Sequence, residues 1–440
     1  MEITVQLTMV GLSRKTEMSA KDNRKRMIAK GLVLQYMKGS NLLKTYCKNI
    51  NVLDIDLITH ATYQCLDDKY TRNDTLRLLS EVSGLTPNQC FNMIYRWGKQ
   101  SVYWIVDALI LQIQNELKEK ELHFIPIWYK EKVDASSFKI RKIGIQNIKQ
   151  QIYDYIAVAA MQPIFCRIGQ HQYASIKDRG CIKGVRTIRR WMRNKEIKYH
   201  AKLDVKKCYE SIDKKLLMKF LKEKIKNDSL IWLIETLINT FEDGLSIGSY
   251  LSQFLCNLYM SQLYHEIEHM HRIRKSRRNK CDEYISLVTH QLFYMDDILL
   301  LGTNAKDIHK AVKQVISYAK NQMGLTIKLN WIVSKLDYID AERCKKFIDM
   351  MGYRIYRDHV TIRRRVFKRI RRALMKVYKL TKIHKNIHLL WARRCISYYG
   401  QIKNSDSVNV RKKYRVDYIL KICKKVVSDE SKIYNRAVTC

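Results

Sequence analysis

Gln291-Leu292-Phe293-Tyr294-Met295-Asp296-Asp297-Ile298-Leu299-Leu300-Leu301-Gly302 decides the reading of this chain. Two adjacent carboxylates interrupt two runs of β-forming residues, which predicts a tight hairpin with Asp296 and Asp297 at its turn. Ile298 to Leu301 is an unbroken apolar run of the kind a buried strand carries. An Asp pair without Gly or Asn, held between core-like strands, is costly unless a cation sits beside it. Hard oxygen donors on such a turn suit Mg²⁺, which takes a few carboxylates and completes its shell from water and phosphate.

Two carboxylates do not complete a two-metal site, and the third candidate is Asp204. Tyr199 to Val205 alternates like a half-buried strand, and Lys206 to Ile212 turns into a helix. A carboxylate at a strand end, facing a carboxylate hairpin on a neighbouring strand, can bridge two metal ions about 3.5 to 4 Å apart. That arrangement stabilises the attacking and leaving oxygens of phosphoryl transfer.

At these residues the chain resembles a family. Tyr294-Met295-Asp296-Asp297 is similar to the tyrosine-x-Asp-Asp box of reverse transcriptases, and Asp204 followed by Tyr209 resembles their first palm motif. The resemblance spans about residues 84 to 425. It implies an α+β right-hand polymerase of fingers, palm and thumb, with an antiparallel palm sheet and a helical N-terminal extension. The expected domains are 1–83 extension, 84–200 fingers, 201–355 palm and 356–440 helical thumb. Asp204, Asp296 and Asp297 would hold two Mg²⁺ and carry catalysis. Tyr209 would stand beside the sugar of the incoming nucleotide and exclude a 2′-hydroxyl.

Other segments extend the resemblance. Phe138 to Ile145 alternates apolar and basic residues, so Lys139 and Arg141 share a strand face, and Arg141 matches the basic residue of the first fingers motif. Ile148 to Phe165 resembles the second motif, with Gln150 and Gln151 where many relatives carry arginines. Gln172 to Gly180 resembles a loop bearing a basic-glycine pair, here Arg179-Gly180. The basic helix predicted after it contains Trp191, a pattern suited to a nucleic-acid backbone. In Gly244 to Gln253, Gly248 would let backbone approach the templating base or nucleotide, and Gln253 would hydrogen-bond there. The form Ile247-Gly248 with Ser252-Gln253 resembles the diversity-generating retroelement and abortive-infection or defence-associated enzymes of bacteria and phages. Met351, Gly352 and Tyr353 resemble the primer-grip hairpin. From Arg363 on, Val366, Ile370, Ala373 and Val377 form one helical stripe wrapped in cations that include Lys368 and Arg372, as a thumb helix on a duplex needs.

Composition agrees with a polyanion partner. With 82 Lys and Arg against 42 Asp and Glu, the formal charge is +40, which points to nucleic acid. No stretch of 18 or more apolar residues predicts a membrane span, and no signal peptide is legible, so a cytoplasmic protein is expected. The expected partners are an RNA template, a primer and deoxynucleoside triphosphates, with an accessory protein or oligomer left open.

The remaining features are read as structural. The twelve cysteines include no C-x-x-C pair and are expected to be reduced, with Cys208 the most open to alkylation. Residues 1 to about 25 read as a poorly ordered arm. Thr86-Pro87-Asn88-Gln89 is a capping box opening a helix that Gly98 should end. His265-Glu266-Ile267-Glu268-His269 matches H-E-x-x-H, but the cationic stretch that follows disfavours Zn²⁺, so a surface helix is expected. Gly324 to Leu329 should form a strand, with Lys328 near the position where relatives carry a lysine. The function expected is RNA-directed DNA polymerisation in a bacterial or phage retroelement or antiphage defence system. Template-independent synthesis by the same fold and a non-catalytic RNA-binding protein are the alternatives.

Overall fold

The computed structural model describes residues 45–133, 140–275, 282–337, 339, 346–383 and 385–437. The expected N-terminal arm and Lys139 lie outside them.

Four helices come first among the described residues: α1 (Ile55–Leu66), α2 (Asn73–Ser83), α3 (Pro87–Trp97) and α4 (Tyr103–Glu119). Their boundaries follow local chemistry. Thr86 Oγ1 accepts from Gln89 N while the Gln89 side chain accepts from Thr86 N, completing the capping box. Gly98, at φ +79°, ends α3 as expected. Strands β1 (Trp128–Val133) and β2 (Ile140–Ile145) form an antiparallel ribbon. Then come α5 (Ile148–Ala160), β3 (Gln172–Tyr173), α6 (Cys181–Met192), β4 (Tyr199–Asp204), the single turn α7 (Cys208–Ser211), α8 (Lys214–Lys224), α9 (Asp228–Asn239) and α10 (Tyr250–His269). A second ribbon, β5 (His271–Lys275) with β6 (Asp282–Ser286), precedes the hairpin of β7 (His290–Tyr294) and β8 (Asp297–Gly302). Helix α11 (Ala305–Met323) and strand β9 (Val333–Lys335) complete the central region. The last part holds a three-stranded meander, β10 (Ile348–Met350), β11 (Tyr353–Ile355) and β12 (Val360–Ile362), and helices α12 (Arg364–Lys382), α13 (Leu389–Lys403), α14 (Val408–Lys413) and α15 (Val416–Ala437).

The central sheet runs β3-β7-β8-β4-β9. It is antiparallel except where the two-residue β3 lies parallel to β7, so the expected purely antiparallel sheet is corrected at that edge. Both faces are covered, which explains the unbroken apolar run of β8. Ile298 and Leu300 join Ala201, Leu203 and Phe293 in a core shared with α5, α9, α10, α11 and the N-terminal helices. Leu292, Leu299 and Leu301 face a second core built from α6, the meander and the C-terminal helices. A strand buried on both sides has no polar positions to alternate with. Helices α1 and α2 share the first core with α5, so they are an integral wall of that layer.

Several expectations are corrected. The segment from Gly324 to Leu329 forms no ladder: only Ile327 bridges Val205, and Leu329 is 81% exposed. The edge of the sheet is taken instead by β9 against Tyr199 to Ala201. Helix α10 is a core helix, with Leu255, Cys256, Leu258 and Leu263 fully buried, and its last turn alone exposes Glu268 and His269. Trp191 is buried, stacked on His290 with ring centroids 4.6 Å apart. It therefore offers no face to a nucleobase. Cys208 is buried with its sulfur 3.8 Å from that of Cys256, and contact with that thiol together with burial pushes its pKa up. Among the described cysteines, Cys166 is the exposed one.

The two-core arrangement makes a distinction that neighbouring residues can test. Leu299→Ala and Leu300→Ala should each cost about 2–5 kcal/mol in urea unfolding, the usual range for a buried leucine. Limited proteolysis should separate them. Leu299→Ala is expected to speed cleavage in the C-terminal helices, and Leu300→Ala in the N-terminal ones.

Candidate active site

The site is assembled by strand register. Strand β4 ends at Asp204 directly opposite Asp297, the first residue of β8. Tyr294 pairs with Asp297 across β7 and β8, so the hairpin loop is Met295–Asp296 and the second carboxylate belongs to the strand. Met295 takes φ +55°, a left-handed conformation that disfavours non-glycine residues by roughly 1–2 kcal/mol. The ladders on both sides hold it there. Val205 N donates to Asp296 O at 3.1 Å, tying the turn to the end of β4.

The carboxylates are electrostatically coupled. Burial pushes the Asp296 carboxyl up from its usual range, and the charges of Asp297 and Asp204 add to the rise while Arg141 opposes it. Asp204, Asp297 and Arg141 are thus close enough to Asp296 for their charges to act on it. Two ammonium groups lie on the cluster. Lys202 Nζ is 2.9 Å from Asp297 Oδ1, and Lys328 Nζ makes a short ion pair with Asp204 Oδ1. Lys202 shares its strand face with Asp204 through the two-residue period, a relation the sequence analysis missed. Among the described residues, no group of three or more His, Cys, Asp or Glu side chains is gathered closely enough to hold a metal ion. The donor set nevertheless fits a hard divalent cation: all three groups are carboxylates, and two of them already attract cations.

The Gly244 to Gln253 stretch forms the opposite wall. Leu245 N donates to Tyr209 O at 2.9 Å, and a Cβ on Gly244, at φ +40°, would fall 2.5 Å from that oxygen. Tyr209 is half-buried, with its hydroxyl 4.0 Å from Met295 Sδ; burial pushes the phenol pKa up, so it stays protonated. Gly248 has φ +118°, and a Cβ there would lie 2.5 Å from Gly144 O. Gly144 N in turn donates to Ile247 O at 2.9 Å. What approaches Gly248 is therefore the backbone of β2, the strand that carries Arg141. A glycine inside a strand pattern signals such an approach, and Gly144 carried that signal in the sequence.

Helix α10 is locked to α5 beneath this wall. Ser249, its N-cap, donates its hydroxyl to Asp154 Oδ2 at 2.7 Å, and Leu251 N reaches the same oxygen at 3.3 Å. Asp154 is fully buried, and its desolvation raises the pKa to about 6. Gln150 donates to Thr240 Oγ1 at 2.7 Å and Gln151 to Gln146 O at 2.9 Å. Both glutamines are tied into hydrogen bonds that hold α5 to its neighbours. Gln253 is half-buried on α10, and its carbonyl accepts from Asn257 Nδ2 at 3.1 Å.

The other residues singled out lie on neighbouring surfaces. Arg179 Nη1 donates to Gly169 O at 2.7 Å, pinning the loop after β3. Met351 and Gly352, with φ +55° and +84°, form the turn between β10 and β11. Tyr353 is 2% exposed, so it can brace this hairpin but cannot touch a strand directly, correcting its reading as a nucleic-acid contact. An open cleft of about 690 Å³ beside the hairpin is lined by Asp349, Arg354, Arg363, Arg364, Arg365 and Lys368. Lys368 and Arg372 are exposed on α12, while Val366, Ile370, Ala373, Leu374 and Val377 are buried. The H-E-x-x-H match is not a zinc site: His265 Nδ1 contacts Glu268 Oε2 at 2.7 Å and Nε2 contacts Arg167 O at 2.8 Å, using both ring nitrogens.

A family model described as reverse transcriptase (RNA-dependent DNA polymerase) matches residues 130–353, just over half of the chain. No curated protein matches it. Among solved structures, apo telomerase from Candida tropicalis truncated from its C-terminal domain is 13% identical, with 76% of this chain and 86% of that chain covered and a TM-score of 0.38. Telomerase from Candida albicans in complex with the TWJ fragment of telomeric RNA is 11% identical over 93% of this chain and 89% of that chain, with a TM-score of 0.38.

The Asp154 bond has a definite pH signature. Its folded pKa lies above the ordinary value of 3.8, so the stability it contributes is full below that value and is lost as pH rises through about 6. The loss amounts to about 3 kcal/mol at most. Asp154→Asn keeps an oxygen acceptor and does not ionise. Urea unfolding at pH 4 and pH 7.5 should therefore shift in the variant's favour at the higher pH, by a few kcal/mol relative to the natural chain.

Proposed function

The chain belongs to the reverse transcriptase (RNA-dependent DNA polymerase) family and is a nucleotidyltransferase; from that premise we propose how its residues extend a primer on an RNA template. The observation that carries the reading is the register of Asp204 opposite Asp297, with Asp296 on the adjoining turn and the charge of Arg141 acting on it. Asp204, Asp296 and Asp297 would hold two Mg²⁺. When bound, these ions activate the primer 3′-hydroxyl and neutralise charge on the leaving pyrophosphate.

The protein's own groups do the rest. Arg141 supplies positive charge from β2 for the triphosphate of a deoxynucleotide, and Lys139, two residues earlier in the sequence, would add to it. Tyr209 presents a protonated, half-buried ring beside the carboxylates, where its bulk excludes a ribose 2′-hydroxyl. The Gly248 loop and Gln253 form the floor under the nucleotide, their position fixed by Gly144 and Asp154. Lys202 and Lys328 reduce repulsion among the carboxylates, which keeps the hairpin folded before substrate arrives. The cleft lined by Arg363, Arg364, Arg365 and Lys368, continued by Arg372, takes the phosphates of the primer–template duplex, with Met351 and Gly352 at its edge and Arg179 bracing the loop nearby. In this reading residues 84–200 are fingers, 201–355 palm and 356–440 thumb of a right hand, with 1–83 as a helical N-terminal extension. The Ile247-Gly248 and Ser252-Gln253 variant favours a bacterial or phage retroelement or antiphage defence setting.

Primer extension on a defined RNA template with Mg²⁺ and deoxynucleotides tests the reading. DNA complementary to the template is expected, reduced about 10²–10³-fold or more in Asp296→Ala, while Tyr209→Ala should incorporate ribonucleotides more readily. Products unrelated to the template would replace templated copying by template-independent synthesis, and activity unchanged in Asp296→Ala would remove the carboxylates from the mechanism. Lys368→Glu with Arg372→Glu should weaken duplex binding and flatten its salt dependence by about one to two in log–log slope.

A further inference from the structure

At the other end of the central sheet, the ribbon β5–β6 and the cleft between α10 and α11 form a surface that the polymerase site does not use. Strand β7 spans His290 to Tyr294, so this end lies roughly 13 Å or more from the aspartates. The ribbon is rooted there by Leu287 N donating to Met270 O at 2.9 Å and by Arg272 Nε 3.0 Å from Asp307 Oδ1. One of its faces is open: Ile273 and Tyr284, opposite each other in register and so on the same face, are 55% and 68% exposed. The Tyr284 ring lies against His271, with centroids 4.9 Å apart.

The adjoining cleft has a volume of about 420 Å³. Gln314, Ser317, Asn321 and Gln322 line one side from α11, and His269 and His271 the other, with Glu266 and Tyr318 at the base. Positions 314, 317 and 321 form one helical stripe, flanked by exposed Lys310, Lys313 and Lys320. The ribbon adds Arg274 and Lys275, set in register against Glu283 and Asp282. Among the described side chains, Lys310, Lys313, Lys320, Arg274 and Lys275 thus outnumber the acids Glu266 and Glu283 around a cleft of amides, hydroxyls and imidazoles. Its lining is too polar for an apolar peptide side chain. Amide and imidazole groups instead match the edges of unpaired bases, an exposed tyrosine provides a stacking face, and lysines hold the backbone.

We propose that this ribbon and cleft are a second RNA-binding surface, which takes unpaired nucleotides of a structured RNA outside the catalytic cleft. It rests on the polymerase reading only in that the RNA would be one the enzyme carries or copies, and its test reads binding rather than synthesis. The probe is a fluorescein-labelled RNA stem–loop with about eight unpaired nucleotides, titrated by anisotropy into full-length protein already saturated with an unlabelled primer–template duplex. The natural chain should bind the stem–loop under these conditions. Arg274→Glu with Lys275→Glu should weaken binding about tenfold and lower the log–log salt slope by about 1.4, the value for two single-strand phosphate contacts. Gln314→Ala with Asn321→Ala should weaken it several-fold with the slope unchanged. Primer-extension kcat and thermal midpoint should stay as in the natural chain for both variants. Stem–loop binding abolished by duplex saturation, affinity unchanged in both variants, or loss of kcat along with affinity would each overturn the proposal. Stem–loop binding by a protein that extends no primer would overturn the polymerase reading alone.

Discussion

Three carboxylates held at the mouth of a sheet that is buried on both faces are the constraint from which the rest of the structure follows. Asp204 and Asp297 are set opposite each other by six consecutive register pairs between β4 and β8, and neither strand can slip without turning its apolar set out of a core. Repulsion between the charges cannot be relieved by moving the strands. It is relieved by Lys202 and Lys328, and in part by the raised pKa of Asp296. The left-handed Met295 belongs to the same economy of geometry: a two-residue loop brings Asp296 back toward Val205, and the strands on either side over-determine it.

That rigid mouth becomes useful because the β1–β2 ribbon is fixed to it through backbone at Gly144 and Gly248, beside side-chain ties from Tyr129 and Lys142 to Glu242. Gly144 and Gly248 approach so closely that neither tolerates a Cβ without displacing the other's segment, and the bond from Gly144 N to Ile247 O sets the register. Below them, Asp154 caps α10 from α5. A buried carboxylate is an expensive cap compared with Asn or Ser. Its advantage is reach, since one oxygen accepts both the Ser249 hydroxyl and Leu251 N. The position of Arg141 relative to Asp296 thus depends on residues that touch neither substrate nor metal in the proposed mechanism.

Most of this was legible where local pattern and tertiary demand coincide. The β7–β8 hairpin, the end of β4 at Asp204, the capping box at Thr86 and the amphipathic α12 follow from periodicity and turn chemistry, and the Met351–Gly352 turn from its resemblance to the primer-grip hairpin. The misses have a common cause. Trp191, Cys208 and the helix carrying His265 were read from their neighbours in sequence as exposed, whereas each is covered by an element distant in sequence: β7 for Trp191, Cys256 for Cys208, and Arg167 with the first core for α10. The strand expected after Gly324 failed because Thr326 and Lys328 make single backbone bonds around Val205. Those bonds seat Lys328 on Asp204 and leave the ladder position to β9. Lys202 was passed over because a lysine on a half-buried strand looks like a solvated edge until its partner strand is known.

The distribution of charge finally separates affinity from selectivity. On α12 the apolar stripe is consumed by packing within the second core, so its arginines and lysines can only face outward, as a platform rather than a wedge. Such cations bind any phosphate backbone, and their contribution falls steeply with salt. Nothing in that platform distinguishes one RNA from another, because phosphate contacts position and base contacts specify. Selection of an RNA must come from groups that can read base edges. The cleft between α10 and α11 supplies amides, hydroxyls and imidazoles, where the cleft beside α12 presents a wall of guanidinium groups. A chain with a charge of +40 has no shortage of electrostatic attraction, and its scarce resource is uncharged hydrogen-bonding surface.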